Sequence, residues 1–192
     1  DRGESVLGAF RKLAPPIADL VRPMPYGDMY NVLPDAPASI TNVTHSFLSD
    51  GVVAGGLDAT LGHMDTAGLA STNSLADVEI RVLGGAIARI SRDATAFAGR
   101  QRKCICSVVT AGFEREDIVR HRTWVESLSR RMEHLAKGAY LNFIDAADES
   151  RLSEVYPEPT YQRLADVKRR YDPENVFRRN MNIRPGPGAP GM

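Results

Sequence analysis

One stretch of the chain leaves little choice about its local fold. Between Glu114 and Lys137 apolar side chains recur at Ile118, Val125, Leu128, Met132 and Leu135, with Trp124 alongside, at the spacing of one helical stripe. Glu114, Glu116 and Asp117 stand at its start, Lys137 in its last turn, and Gly138 where a helix ends. A helix with one apolar stripe must lay it on another apolar surface. Three β-rich runs can supply that surface: residues 40–48, residues 78–83 and residues 103–110.

The runs do not alternate strictly with helices, so a parallel α/β order is not indicated. Gly84-Gly85 between Val78–Leu83 and Ala86–Ile90 predicts a turn or bulge joining two strands. Residues 66–76 are small and polar and read as a loop. Val53, Leu57, Leu61 and Met64 predict a helix after Asp50, weakened by Gly51, Gly55, Gly56 and Gly62. Near the start, Val6, Leu7, Phe10 and Leu13 predict a helix that Pro15-Pro16 stops. Met29, Val32 and Leu33 predict one or two turns before Pro34. After Gly138 come a short strand at 139–143, an acidic loop at 145–150, and a helix at 159–171 with Leu164, Val167 and Tyr171 on one side. Asp172-Pro173 ends that helix, and the Pro/Gly-rich residues 185–192 read as a mobile tail. The expected class is α+β: an antiparallel sheet with helices covering one face.

Composition removes several functions. With 24 Lys+Arg against 24 Asp+Glu in 192 residues, the chain lacks the basic excess of a nucleic-acid binder. No apolar run approaches the roughly 18–20 residues of a membrane span, and no signal-peptide pattern opens the chain. Cys104 and Cys106 share a strand face but are too widely set for easy bridging, and no nearby His makes them a zinc site. They read as reduced packing residues of a cytoplasmic protein.

Familiar catalytic patterns are absent. The sequence has no Walker-type phosphate loop, and Gly84-Gly85 lacks the other glycines of a dinucleotide fingerprint. His45, His63, His121 and His134 show no i,i+4 pairing, so no metal site is expected. His121 and His134 read as solvated residues on an Arg-rich helix, while His45 sits in a strand from which it could face a pocket. Glu79 and Arg81 share one strand face, which either meets solvent as an ion pair or lines a polar pocket. Tyr140 and Asn142 put a phenol and an amide on one face. Such a pair can bond a heteroaromatic ligand, and a phenol can take a proton if its surroundings favour the anion.

The carboxy-terminal run adds a family. Tyr161, Arg163-Leu164, Val167-Lys168, Asp172-Pro173, Asn175, Phe177, Asn180 and Asn182-Ile183 stand in register with the terminal segment of berberine-bridge-enzyme-like FAD-linked oxidoreductases. Tyr140-Leu141-Asn142 resembles that family's Tyr-x-Asn strand. Leu83–Ala86, Ala94–Phe97 through Arg100, and Pro23–Tyr26 resemble parts of its substrate domain. The resemblance implies a ferredoxin-like, FAD-linked-oxidase carboxy-terminal-domain type of fold. It divides the chain into a substrate-binding domain at 1–138, a berberine-bridge-type segment at 139–184 and a tail at 185–192.

By the same resemblance the cofactor is FAD, and the substrate is a small organic molecule that delivers a hydride to flavin. Tyr140 matches the tyrosine that assists proton removal. Asn142, Asn182 and Asn180 match asparagines near the cofactor, and Ser107 is the nearest match to the family's substrate-facing polar residues; Glu79 and Arg81, read from their strand face and not from the resemblance, are the other candidates for substrate contact. Asp172, Pro173, Asn175 and Phe177 match a structural turn with packing and capping roles. The flavin-binding domain of the family has no counterpart here, so the chain is expected to be a fragment needing that partner in cis or in trans, and inactive alone. The competing expectations are a binding module that has lost its flavin domain and one half of a two-chain flavoenzyme.

Overall fold

A computed structural model describes residues 2–31, 41–51, 54–64, 74–112, 118–144 and 149–187. The expected contributions of Val32, Leu33, Glu114, Glu116, Asp117 and residues 188–192 lie outside the described residues.

The chain divides into two units, Asp1–Pro37 and Ala38–Met192. The first contains helix α1 (Arg2–Arg11) and a 3-10 turn at Tyr26–Asn31. Arg11 bonds both Glu4, at 2.8 Å, and Asp19, at 2.5 Å, which ties the helix end to the following segment. Helix α1 buries none of its residues.

The second unit is built on a three-stranded antiparallel sheet. Strands β1 (Thr41–Ser49) and β2 (Ser74–Val82) both pair with β3 (Cys104–Gly112), giving the order β1-β3-β2. Helices α2 (Ala54–Met64), α3 (Ala86–Arg89), α4 (Ile118–Met132), α5 (Leu152–Val155) and α6 (Glu158–Tyr171) complete it. The α+β class with an antiparallel sheet holds.

Strand periodicity sorts every sheet residue onto one of two faces. Phe47, Cys106 and Ile80 are cross-strand neighbours on the face that α4 covers. There Phe47, Cys104, Cys106, Val108, Trp124, Val125, Leu128 and Met132 form the core. Of the stripe read from the sequence, Trp124, Val125, Leu128 and Met132 are buried in α4 and Leu135 in the 3-10 turn that follows it, whereas Ile118 is half-buried and His121 and Ser129 join the buried face. Cys104 and Cys106 are free, buried in this core, with their sulfurs 3.8 Å apart. Burial, with the neighbouring Cys104 adding to it, pushes the Cys106 thiol up to about 12.

Four expectations need correction. First, β2 begins at Ser74, so Ser74–Ala76 are strand, because β3 extends to Gly112 and offers them partners. Second, Ala86–Ile90 is not a strand. Gly84 and Gly85 take positive φ values of 144° and 53°, and Ile87 N–H bonds Gly84 O, turning the chain into α3 after the ladder ends at Val82–Cys104.

Third, residues 139–143 form no strand. Lys137 N–H donates to Leu48 O and Leu48 N–H to Gly138 O, after which the chain turns through a 3-10 element at Leu141–Phe143. Fourth, His121 is buried, not solvated. Gly112 makes the room: a Cβ there would stand 2.4 Å from His121 Cε1.

Candidate functional site

The sheet face opposite α4 has a different chemistry. Glu79, Ser107 and Ser46 are cross-strand neighbours there, with Arg81 beside Ile105 one step along. Arg81 folds back on Glu79 through two hydrogen bonds, Nε to Oε1 at 2.8 Å and Nη2 to Oε2 at 2.9 Å. A bidentate pair of this kind is the strongest geometry open to an exposed carboxylate and guanidinium. Burial pushes the Asp77 carboxyl above its ordinary range, and Glu79 adds to the rise.

The segment after Gly138 folds over this face and carries the aromatic groups to it. Ser46 Oγ donates to Phe143 O at 2.6 Å. The guanidinium carbon of Arg81 lies 4.5 Å from the Phe143 ring centre, within cation–π range. Tyr140 meets Phe143 and Phe97 edge to face, at 5.3 and 5.4 Å between ring centres. Asn142 Nδ2 donates to the Tyr140 hydroxyl at 2.9 Å. The phenol oxygen is thereby oriented while its own proton stays available to another acceptor.

The structure thus gathers Glu79, Arg81, Tyr140 and Asn142 around Phe143. Ser107 belongs to the same face but is buried under its neighbours. Asn180 and Asn182 stand apart: among the described residues no hydrogen bond, ion pair or ring contact joins them to this group. Asn180 takes a left-handed φ of 62°, and the buried Oδ1 of Asn182 has no partner among the described residues.

Sequence reasoning missed Phe97, Phe143 and Arg151 as members of this region. Phe143 was read only as a strand position. Arg151, just after the acidic loop, reaches 105 residues back to donate to Ser46 O at 2.8 Å, and also pairs with Glu154. Its signal in sequence was one basic residue after a run of acids, which periodicity does not resolve.

The turn after α6 carries its own logic. Asp172 Oδ1 accepts from Val176 N–H at 2.7 Å and Oδ2 from Phe177 N–H at 3.0 Å, while Lys168 pairs with the same carboxylate. Asn175 takes the left-handed φ of 53° that this tight return requires. The Lys168 ammonium, with the two backbone donors, holds the Asp172 carboxyl below its ordinary range. Phe177, by contrast, is 81% exposed, so within the described residues it does not take the packing role expected of it.

The family model described as "Berberine and berberine like" matches residues 139–184. The protein named "Uncharacterized FAD-linked oxidoreductase YgaK" of Bacillus subtilis is 32% identical over 117 residues, 59% of this chain and 25% of its own. Among solved structures, CrmK, titled a flavoenzyme of caerulomycin biosynthesis, superimposes with a TM-score of 0.77 at 22% identity, over 96% of this chain and 42% of its own. The 6-hydroxy-D-nicotine oxidase of Arthrobacter nicotinovorans gives 0.77 at 20% identity, over 97% and 42%. Together these define the class: a fold shared with FAD-linked oxidoreductases. Within that class the carboxy-terminal part of the chain, residues 139–184, is similar to the berberine bridge enzyme-like proteins. The chain spans about a quarter of the length of the Bacillus relatives it matches.

Proposed function

We propose that the chain forms the substrate-facing part of an FAD-dependent oxidoreductase acting on a small organic molecule. The observation that carries this reading is the sheet face opposite α4. An oriented phenol, an amide and an ion pair stand together there around an aromatic group, on a polar surface that α4 leaves uncovered.

The residues fit one part of the cofactor. Tyr140, Asn142 and the Phe97–Tyr140–Phe143 aromatic group suit a planar ring with polar edges. No glycine-rich phosphate loop accompanies them in this sequence, so these residues would hold the isoalloxazine end and a partner segment the phosphates. Flavin, when bound, supplies the two-electron acceptor for a hydride.

The protein's own work is positioning and proton transfer. Tyr140 Oη, its own proton first passed to solvent, takes the substrate proton, with Asn142 holding the oxygen in place. Arg81, fixed by Glu79 and Phe143, orients the polar end of the substrate, and the buried Ser107 supports that strand from beneath. The partner is a flavin-binding domain, in cis or in trans. Excluding water needs both walls of the crevice, so the chain alone does not turn over.

The test has two stages. First, FAD is added to the purified chain, excess is removed by gel filtration, and the visible spectrum is read; a colourless protein is expected. Second, the chain is joined to the flavin-binding portion of a Bacillus relative, and flavin bleaching is followed against alcohols, amines and sugars. Substrate-dependent oxygen consumption by the chain alone with FAD would overturn the need for a partner. A flavin-loaded chimera bleached by no substrate in any of these classes would overturn the catalytic reading.

A further inference from the structure

Two guanidiniums meet the aromatic group on the sheet face opposite α4, and they are not equivalent. Arg81 lies over Phe143 and is matched by Glu79 through two hydrogen bonds, so it brings donors to the face but no net charge. Arg100 meets the other terminal ring, its guanidinium carbon 5.7 Å from the Phe97 ring centre. Phe97 in turn meets Tyr140 at 5.4 Å between ring centres. The Arg100 charge is therefore no farther from the phenol ring than those two spacings combined.

Arg100 is held where it stands. A Cβ at Gly99 would lie 2.5 Å from Leu48 Cδ1, so the 3-10 turn Ala98–Gln101 sits directly on β1, on the face that Leu48 shares with Ser46. Arg100 Nη2 donates to Thr95 Oγ1 at 2.8 Å.

Its charge is nonetheless unmatched. The side chain is half-buried, and its Nε is sealed from solvent with no partner among the described residues. Among those residues no carboxylate pairs with it; its contacts are a neutral hydroxyl and a ring face. Nη1, by contrast, bonds nothing among the described residues and is not buried. A cation that has lost part of its hydration without gaining a carboxylate attracts an anion more strongly than a fully solvated one.

Resting on the substrate-facing role proposed above, we infer that the substrate is an organic carboxylate and that Arg100 binds its charged end through Nη1. The body of the molecule runs along Phe97, which leaves the carbon to be oxidised beside Tyr140 Oη. Arg81, matched by Glu79, serves the uncharged polar groups. Arg100 thus selects and orients the substrate from the end remote from the reaction.

The test uses the full chain, isotopically labelled, titrated by NMR with 4-(hydroxymethyl)benzoate and with 4-(hydroxymethyl)benzamide, which has nearly the same shape without the charge. The benzoate should give saturable shifts at Phe97, Tyr140 and the Arg100 Nε–H. It should bind at least about five-fold more tightly than the amide, a modest ratio because solvent still screens a half-buried charge. Arg100→Gln should bring the two ligands to equal affinity while leaving the amide's unchanged. Arg100→Lys, which keeps a charge but loses the guanidinium fork, should retain part of the preference and serves as the test if the glutamine variant does not fold. Equal binding of acid and amide at Phe97 and Tyr140 would overturn the carboxylate assignment and leave the substrate-facing reading standing. Shifts at these residues from neither ligand would overturn both. A benzoate preference that survives Arg100→Gln, or that is read only around Arg92 and Arg163, would overturn the role of Arg100.

Discussion

The two faces of one three-stranded sheet have been given different work. Cys106 and Ser107 are adjacent in β3, and both are buried, yet their side chains serve opposite sides. Cys106 joins Phe47, Val108 and Leu128 under α4, where almost every neighbour is apolar. Ser107 lies among Ser46, Glu79 and Arg81, under a segment held by individual hydrogen bonds and ring contacts. The first face draws its stability from area removed from water, which is insensitive to detail. The second depends on the placement of single atoms, which is what recognition and proton transfer require. The comparison predicts that substitutions on the α4 face cost stability, while those on the far face cost chemistry.

The largest loss of stability is expected from Phe47→Ala. Phe47 is 1% exposed at the centre of the α4 face, and removing a buried phenylalanine costs about 3–5 kcal/mol. Urea unfolding followed by Trp124 fluorescence reads it directly, and a loss under about 1 kcal/mol would show that this face is not the core. Next comes Gly112→Ala. Its Cβ meets the buried His121 ring at 2.4 Å, an overpacking worth about 1–3 kcal/mol. If the close approach is the cause, most of the Gly112→Ala penalty should vanish in a His121→Ala background. A penalty unchanged in that background would place its origin in the strand itself.

The far face was only partly legible in the sequence, and the reason is physical. Periodicity reports which side of an element is apolar, so the stripe of α4 and the strands 40–48 and 103–110 could be read to within a residue or two. It does not report where a chain ends its pairing. Ala86–Ile90 and Ala139–Phe143 have strand-like composition, but the ladder stops at Val82 on one side and the chain leaves Leu48 on the other. Both segments turn instead. His121 was misread because its burial depends on a glycine in another element. The gathering of Arg81, Phe143 and Tyr140 likewise needs contacts across some sixty residues of chain. Spacing was enough to put Tyr140 and Asn142 on one face, whereas only the fold brings Arg81 to Phe143 and Phe97 to Tyr140.

The turn after α6 offers a third kind of stabilisation, between these extremes. Asp172 is neither core nor recognition surface; its charge receives two backbone donors and Lys168. Its carboxyl is held below the ordinary range, so the folded state binds the proton less readily than the unfolded one. The contribution is therefore complete above the unfolded carboxylate value, near pH 4, and is lost as pH falls through the lower folded value. Asp172→Asn should lower the melting temperature by a few degrees at pH 7 and flatten the acid limb of its pH profile. A variant that melts lower by the same amount at pH 7 and at pH 3 would show that shape, not charge, holds the turn.

The smallest effect on stability, and the sharpest test of the contrast, is expected from Tyr140→Phe. The change removes one hydroxyl that accepts a single exposed hydrogen bond from Asn142, so unfolding should shift by no more than about 0.5 kcal/mol. In the flavin-loaded chimera the same change should lower turnover by about 10²–10⁴-fold, the range of a lost general base. Substrate binding should stay near its original strength. Asn142→Ala distinguishes base from orienter: with Tyr140 present but unguided, the rate should fall less than in Tyr140→Phe. If Tyr140→Phe leaves turnover unchanged, the phenol only packs against Phe97 and Phe143. The far face would then have to find its base elsewhere, with the Asp77 carboxyl, already raised by burial beside Glu79, the next group to replace.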